Sequence, residues 1–240
     1  MIVAAHQPNF LPWLGYFDRM RRADLFVFVD HVQFERQNYQ NRTMIKTAEG
    51  ARWITVPVHQ RSQKERIIEK TIDNQASGKH RWGRKAFLTM QYSYQAAPYY
   101  GQYAAELKDI FDAKWDKLVD LNLTLLEFCR SALGIETPVL RSSDLPVTGM
   151  KSDMVLNLCK AVGADTYLAG MGGSRHYLDL QAFQEAGIKV VFQEFAHPRY
   201  PQIPGGGFTD GLSALDLLFN CGPHGRKLLE GAAAAEARLA

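Results

Sequence analysis

The clearest pattern along the chain is a set of short, unbroken apolar runs set between segments of helical period. Residues 2–5 (IVAA) and 25–29 (LFVFV) are continuously apolar, and each stops abruptly at polar residues. Runs of that length without alternation are expected of strands buried on both faces. Between them Pro12 stands where a helix can begin, and Trp13, Phe17 and Met20 or Arg21 follow at helical spacing. A strand, a short helix and a second apolar strand make a βαβ unit, which calls for a parallel sheet covered on both faces.

Residues 53–58 (WITVPV) read as a third strand, with Pro57 marking an edge position or a strand end. Residues 60–80 are polar and irregular apart from one short apolar piece at 67–72. Over 81–133, Phe111, Leu118, Leu121, Leu125, Phe128 and Cys129 give an apolar stripe; Pro98 divides the region into at least two helices, and Gly134 closes it. The last third alternates again. A strand at 139–140, a helix at 153–162 closed by Gly163, a strand at 166–169, a glycine turn at 170–173, a helix at 177–186 closed by Gly187 and a strand at 188–192 follow in turn. A Pro/Gly-rich loop at 196–211 and a helix at 213–220 complete the pattern, and the alanine-rich tail 231–240 reads as frayed or disordered. Without internal repeats or a linker, residues 1–230 are expected to form one α/β domain. Its open parallel sheet has about five strands with helices on both faces, and a helical insertion lies around 80–133.

Composition narrows the function. The 240 residues are 46% hydrophobic and 22% charged, ordinary values for a globular chain that needs no disulfide or metal staple. The net charge of +3, from 28 basic and 25 acidic residues, is too small for a nucleic-acid groove. The basic clusters at 19–22 and 79–85 are either solvated helix faces or a means of drawing in an anionic substrate. Cys129, Cys159 and Cys221 lack paired spacing, which excludes a zinc ribbon or disulfide framework and points to a reducing compartment. The N-terminal apolar stretch is too short for a signal peptide, and no run reaches the ~18 apolar residues of a membrane span. Cytoplasmic localisation follows. The seven histidines are scattered, so neither a metal nor another cofactor is expected.

Polar residues gather where the strands end. His6, Gln7, Pro8 and Asn9 stand at the carboxyl end of the first strand, where ligands bind in open α/β sheets, and the helix beginning near Pro12 points its N-terminus at the same place. His6 suits a general base or a hydrogen-bond donor to phosphate; the alternative is that His6 and Asn9 only tie down a buried loop. Asp30 ends the second strand on the same rim and leads into Gln33, Gln37, Asn38, Tyr39, Gln40 and Asn41. Such a density of amides suits a sugar or nucleotide, or else a polar loop stabilised by its own side chains. Arg42 and Lys46 could hold a phosphate or carboxylate. Tyrosines in polar surroundings, such as Tyr16, suit the lining of a polar ligand site. Gly172 and Gly173 let the backbone approach a ligand closely, or simply form a tight turn, with Tyr177 just beyond. Their spacing matches neither a dinucleotide-binding fingerprint nor a Walker loop. Lys151 and Ser152 are a phosphate contact or a helix cap. Cys221 sits at a helix end whose dipole has the wrong sign for a nucleophilic thiol.

Several of these segments carry a resemblance. AAHQPNFLPWLGYFDRM, DLFVFVDHVQFERQNYQNRTMIK with WITVPV, GADTYLAGMGGSRHYLD, GIKVVFQEF and LSALDLLFNCG together resemble the WbqC-like protein family over nearly the whole chain. That resemblance implies a cytoplasmic role in bacterial surface-polysaccharide synthesis, including the O-antigen of lipopolysaccharide, on nucleotide sugars or their precursors. A fold-level similarity to nucleotidyltransferase-like enzymes of the HUP, Rossmann-like class is also visible. The loop 6–9 resembles their His-x-Gly-His loop, and FVFVDHVQF resembles a segment of pantothenate synthetase. Here Pro8 and Asn9 replace the Gly and second His, and the Lys-Met-Ser-Lys-Ser loop is echoed only by Met150, Lys151 and Ser152.

The resemblance does not define a reaction; the leading expectation is a transferase that moves an acyl or aminoacyl group, from a carrier thioester that needs no ATP, to an amine such as that of an amino sugar nucleotide. His6 is the expected base, with Asn9 and Asp30 catalytic beside it. Gln7, Tyr16, Gln33, Asn38, Tyr39, Asn41, Arg42, Lys46, Gly172, Gly173 and Tyr177 are the expected substrate contacts. The expected partners are a small phosphate- or sugar-containing substrate and an acyl- or peptidyl-carrier protein. The alternatives are an ATP-using nucleotidyltransferase or amide-forming ligase, and a non-catalytic binding protein of an assembly complex. All rest on the first two strands lying side by side and opening at a shared rim.

Overall fold

The computed structural model describes residues 1–234. The chain opens with β1 (Ile2–His6), α1 (Leu14–Arg21) and β2 (Leu25–Phe28), then forms a hairpin of β3 (Arg42–Thr47) and β4 (Gly50–Thr55). Three helices follow, α2 (Trp82–Tyr94), α3 (Tyr100–Asp112) and α4 (Leu118–Ala132). The remainder is β5 (Val139–Arg141), α5 (Lys151–Ala161), β6 (Thr166–Ala169), α6 (Ser174–Tyr177), α7 (Leu180–Glu185), β7 (Lys189–Phe192), α8 (Ala214–Cys221) and α9 (Gly225–Ala234).

Five strands form one open parallel sheet in the order β5-β2-β1-β6-β7. The apolar runs form its centre because both faces are covered. In β2, Phe26 and Phe28 pack into one layer while Val27 packs into the other; in β1, Ala4 faces the first layer and Val3 and Ala5 the second. The first layer holds α1, α4 and α8 through residues such as Phe17, Leu125 and Leu218; the second holds α5 and α7 through Leu158 and Phe183. Each fully buried Phe or Leu contributes about 1.5–3 kcal/mol. Counted among the parallel strands alone, the order is third, second, first, fourth, fifth. The chain therefore reverses direction across the sheet between β1 and β6. In doubly wound sheets that switch point opens a crevice beyond the carboxyl ends of the strands.

The expected strand at 53–58 begins earlier, ends at Thr55, and lies outside the parallel sheet. It pairs antiparallel with β3, Met44 opposite Trp53. β3 itself had no counterpart in the sequence pattern, because the inward Thr43 and Ile45 are interleaved with Arg42 and Lys46. Pro98 does separate α2 from α3, and Gly134 ends α4 with a φ of 63°, a conformation that costs a side chain-bearing residue strain. The single helix expected at 177–186 is two short ones. Asp179 breaks it by accepting a 3.1 Å hydrogen bond from Ala182 N and capping α7 afresh. Helix α9 runs to Ala234, into the segment read as a tail; residues 235–240 of that tail lie outside the described residues. Among the described residues no helix is long and apolar enough to cross a membrane.

Candidate functional site

β1 and β2 run side by side, with His6 paired opposite Phe28, so both open on the carboxyl edge of the sheet. His6 is half-buried at the end of β1. Its Nδ1 lies 3.0 Å from the carbonyl oxygen of Gln7, which only accepts; Nδ1 therefore carries the proton and Nε2 keeps a free lone pair. The Tyr16 hydroxyl donates to the same carbonyl at 3.2 Å, and its ring meets the imidazole edge-on at 4.9 Å between centroids. Burial, and secondly the nearby Arg19 guanidinium, push the His6 pKa down to about 3 despite the bond to Gln7. The ring is neutral throughout the physiological range.

The loop after β1 and the loop before β3 are stitched together. Phe10 N donates to Tyr39 O at 2.9 Å, and the buried Asn122 of α4 donates to Pro8 O and Gln40 O, each at 2.8 Å. An aromatic row runs outward from His6. Trp13 lies 5.9 Å from the imidazole, Tyr39 is 5.3 Å from Trp13, and the exposed Trp53 is 5.5 Å from Tyr39. The Arg42 guanidinium covers Trp53 at 4.2 Å. Asn9, on the loop that follows His6, is buried, and its Oδ1 is sealed without a hydrogen-bond partner.

Arg19 reaches from α1 to the switch point of the sheet. It is only 5% exposed. Burial lowers its pKa, while Tyr167, Tyr16, Tyr177 and Asp18 lie near enough to raise it. Its Nη1 sits 2.0 Å from the point where a Cβ on Gly170 would stand, which places it at the exit of β6. Gly172 and Gly173 follow on an exposed turn with Tyr177 alongside. Thus His6, Gln7, Asn9, Tyr16 and Tyr39 belong to one neighbourhood, and Arg19 links it to Tyr177.

The other candidates are placed differently. Asp30 is fully buried on the adjoining rim between β2 and β5. Arg141 Nε reaches it at 2.7 Å, Ser143 N and Oγ at 3.0 Å each, and Ser142 Oγ at 3.1 Å. Gln33 is exposed and donates to Gln63 O at 2.7 Å. Asn38 bonds Glu35 at 2.5 Å, and Asn41 donates to Val56 O at 2.9 Å. Arg42 donates to Gln37 O. The buried Lys46 spans to Gln202 Oε1 at 3.2 Å and Gly207 O at 2.8 Å, holding the 196–211 loop. Ser152 accepts from Asp179 N at 2.8 Å and so ties α5 to the start of α7. Burial, with a lesser push from Asp216, raises the Cys221 thiol to about 11.

Trp13, Gly170 and Gln193 were not among the expected site residues, and Arg19 entered only as part of the basic cluster 19–22, read as a solvated face or a draw for an anion. Gln193, just past β7, donates to Gly15 O at 2.9 Å and Asp18 Oδ2 at 2.8 Å. A signal for Arg19 existed: α1 buries a charged pair, Asp18 and Arg19, on the same turn as Phe17 and Met20. Charges inside an apolar stripe carry a desolvation cost and call for a reason.

Known proteins bear on this arrangement. A relative from Mycobacterium tuberculosis, the uncharacterized protein Rv1507c, is 34% identical over 222 residues, covering 92% of this chain and 94% of the relative. No solved structure matches the chain. The model of the WbqC-like protein family matches residues 7–228, which takes in the loop after β1, both rims of the sheet and every strand but the first. The chain belongs to the WbqC-like protein family.

Proposed function

We propose that this protein is a cytoplasmic transferase of surface-glycan synthesis that moves an acyl or aminoacyl group from a carrier thioester to the amine of a sugar nucleotide. The observation that carries this reading is the His6 imidazole. It is held at the switch-point crevice in a fixed tautomer, with Nε2 unprotonated and free. With its pKa at about 3 it is a weak base, so it takes a proton only from the acidic ammonium of the tetrahedral adduct and passes it straight on. The amine nitrogen forms a bond to the thioester carbonyl, and the C–S bond breaks. The proton passes from the amine through His6 Nε2 to the departing thiolate. Trp13, Tyr39 and Trp53 offer faces on which a sugar or base can stack.

The test uses the purified protein with an aminoacyl N-acetylcysteamine thioester and a nucleotide-linked amino sugar, the product being weighed by mass spectrometry. His6→Gln is expected to lower kcat by about 100-fold or more. Turnover equal to wild type would remove His6 from the chemistry and the reading with it. The strand order, shared with nucleotide-binding sheets, favours one second reading, an ATP-using nucleotidyltransferase or ligase. Carboxylate-dependent exchange of pyrophosphate into ATP would select it.

A further inference from the structure

Helix α1 and its C-terminal cap Arg22 carry four charged residues in one turn and a half, and three of them are accounted for. Arg21 pairs with Asp18 Oδ1 at 2.7 Å, and Arg22 reaches Asp18 Oδ2 at 3.4 Å. Gln193 Nε2 donates to Asp18 Oδ2 at 2.8 Å, which completes that carboxylate. Arg19 is the most deeply buried of the three arginines and is bonded to nothing. Among the described residues its guanidinium forms no ion pair and no hydrogen bond, and its Nε is sealed from solvent without a partner. A guanidinium holds five donors in a planar fork, and burying it without an acceptor is costly.

The fold nevertheless keeps it there. The backbone at the exit of β6 is cut back to make room: any side chain at Gly170 would put its Cβ 2.0 Å from Arg19 Nη1. The cation so placed lies at the reversal of strand order, close enough to His6 to bias its charge. Among the described residues nothing bonds the fork, and of its nitrogens only Nε is sealed, which leaves the Nη atoms open to an acceptor from outside.

We propose that Arg19 is the substrate's oxyanion receptor, taking a phosphate or carboxylate group bidentately in the crevice between the ends of β1 and β6. The proposal deepens the transferase reading, resting on its placement of the substrate in that crevice. It assigns the anionic end of the substrate to Arg19 rather than to Arg42, whose guanidinium bonds Gln37 O and lies over Trp53, or to Lys46, whose ammonium holds Gln202 and Gly207. A bidentate site of this kind distinguishes Arg from Lys, whose ammonium offers no fork.

The test is calorimetric titration of the whole protein with inorganic phosphate and, separately, with acetate, together with thermal melting in buffer free of both. Wild type is expected to bind one of the two anions saturably, and the tighter one identifies the group. Arg19→Met should weaken that binding at least tenfold while melting no lower than wild type, because it removes an uncompensated buried charge. Arg19→Lys should recover only part of the affinity. Gly170→Ala keeps the arginine but displaces it, and should weaken binding comparably. The assignment is overturned if wild type binds neither anion, or if both Arg19→Met and Gly170→Ala bind as wild type does. It is likewise overturned if Arg19→Met melts several degrees lower with binding intact, the mark of a purely structural residue. Absence of anion binding in a protein that transfers would sink this assignment alone. Arg19-dependent binding in a protein that catalyses no transfer would sink the transferase reading alone.

Discussion

Asp30 and Arg19 are both buried charges at the carboxyl edge of the same sheet, 0% and 5% exposed, and their surroundings are opposite. Asp30 has a guanidinium, a backbone N–H and two hydroxyls pointed at its carboxylate. Arg19 has tyrosine rings and a saturated neighbour. A satisfied buried charge is explained by the contacts it holds together, here the turn that follows β5. An unsatisfied one has no such explanation within the fold. Burial alone would have ranked Asp30 first; the state of the hydrogen bonds ranks Arg19 first.

The largest effect that can break this comparison is expected at Asp30. Asp30→Ala strands Arg141 and the two serines, and removing one partner from a buried pair typically costs about 3–5 kcal/mol. Chemical denaturation should show a loss of that size, against no loss for Arg19→Met. A cost below about 1 kcal/mol for Asp30→Ala would mean that the two rims are energetically alike, and satisfaction would lose its value as a criterion.

Acid stability gives a second, smaller separation. The folded state holds the His6 pKa at about 3 against an ordinary 6.5, so the unfolded chain binds the extra proton between those values. Stability is full above 6.5 and falls as the pH drops through the window, by about 1.4 kcal/mol per unit while it lasts. His6→Gln should flatten the slope in that range. Arg19→Met should shorten the window, because the guanidinium is the second cause of the depression after burial. A slope that His6→Gln leaves unchanged would place the acid-sensitive group elsewhere.

The parallel sheet was legible because its strands are buried on both faces. The runs at 2–5 and 25–29 have no polar side chain to satisfy, and the pattern stands out by its lack of alternation. β3 was hidden for the converse reason: Thr43 and Lys46 are buried polar residues whose partners, Leu11 O and the 196–211 loop, are distant in sequence. The same reason left the cluster 19–22 unresolved into its members. Nothing in the stretch DRMRR says which arginine finds the aspartate, because Asp18 is completed by Gln193 from beyond β7. His6 was found because position alone exposes it, the first polar residue after a buried strand. The amides at 33–41 show what composition cannot resolve. Their number suggested a ligand, yet Gln33, Asn38 and Asn41 bond Gln63, Glu35 and Val56. Tyr39, flanked by them, stacks toward Trp13 and His6 instead.

That division within one loop yields the smallest and most discriminating expectation. Gln33 is exposed, and its side chain donates at 2.7 Å to Gln63 O in the segment after β4. Gln33→Ala should change stability by no more than about 0.5 kcal/mol, as surface substitutions do, and should leave the KM of the transfer assay where it was. Tyr39→Ala removes a ring from the row between Trp13 and Trp53, and a lost stacking partner is worth about 0.5–1.5 kcal/mol. It should raise KM for the sugar nucleotide up to about tenfold with little change in kcat, because the ring holds the substrate and does not touch the transferred proton. If Gln33→Ala raises KM more than Tyr39→Ala does, the substrate lies along the β2 rim. Asp30, for all its satisfied bonds, would then stand closer to the chemistry than Arg19.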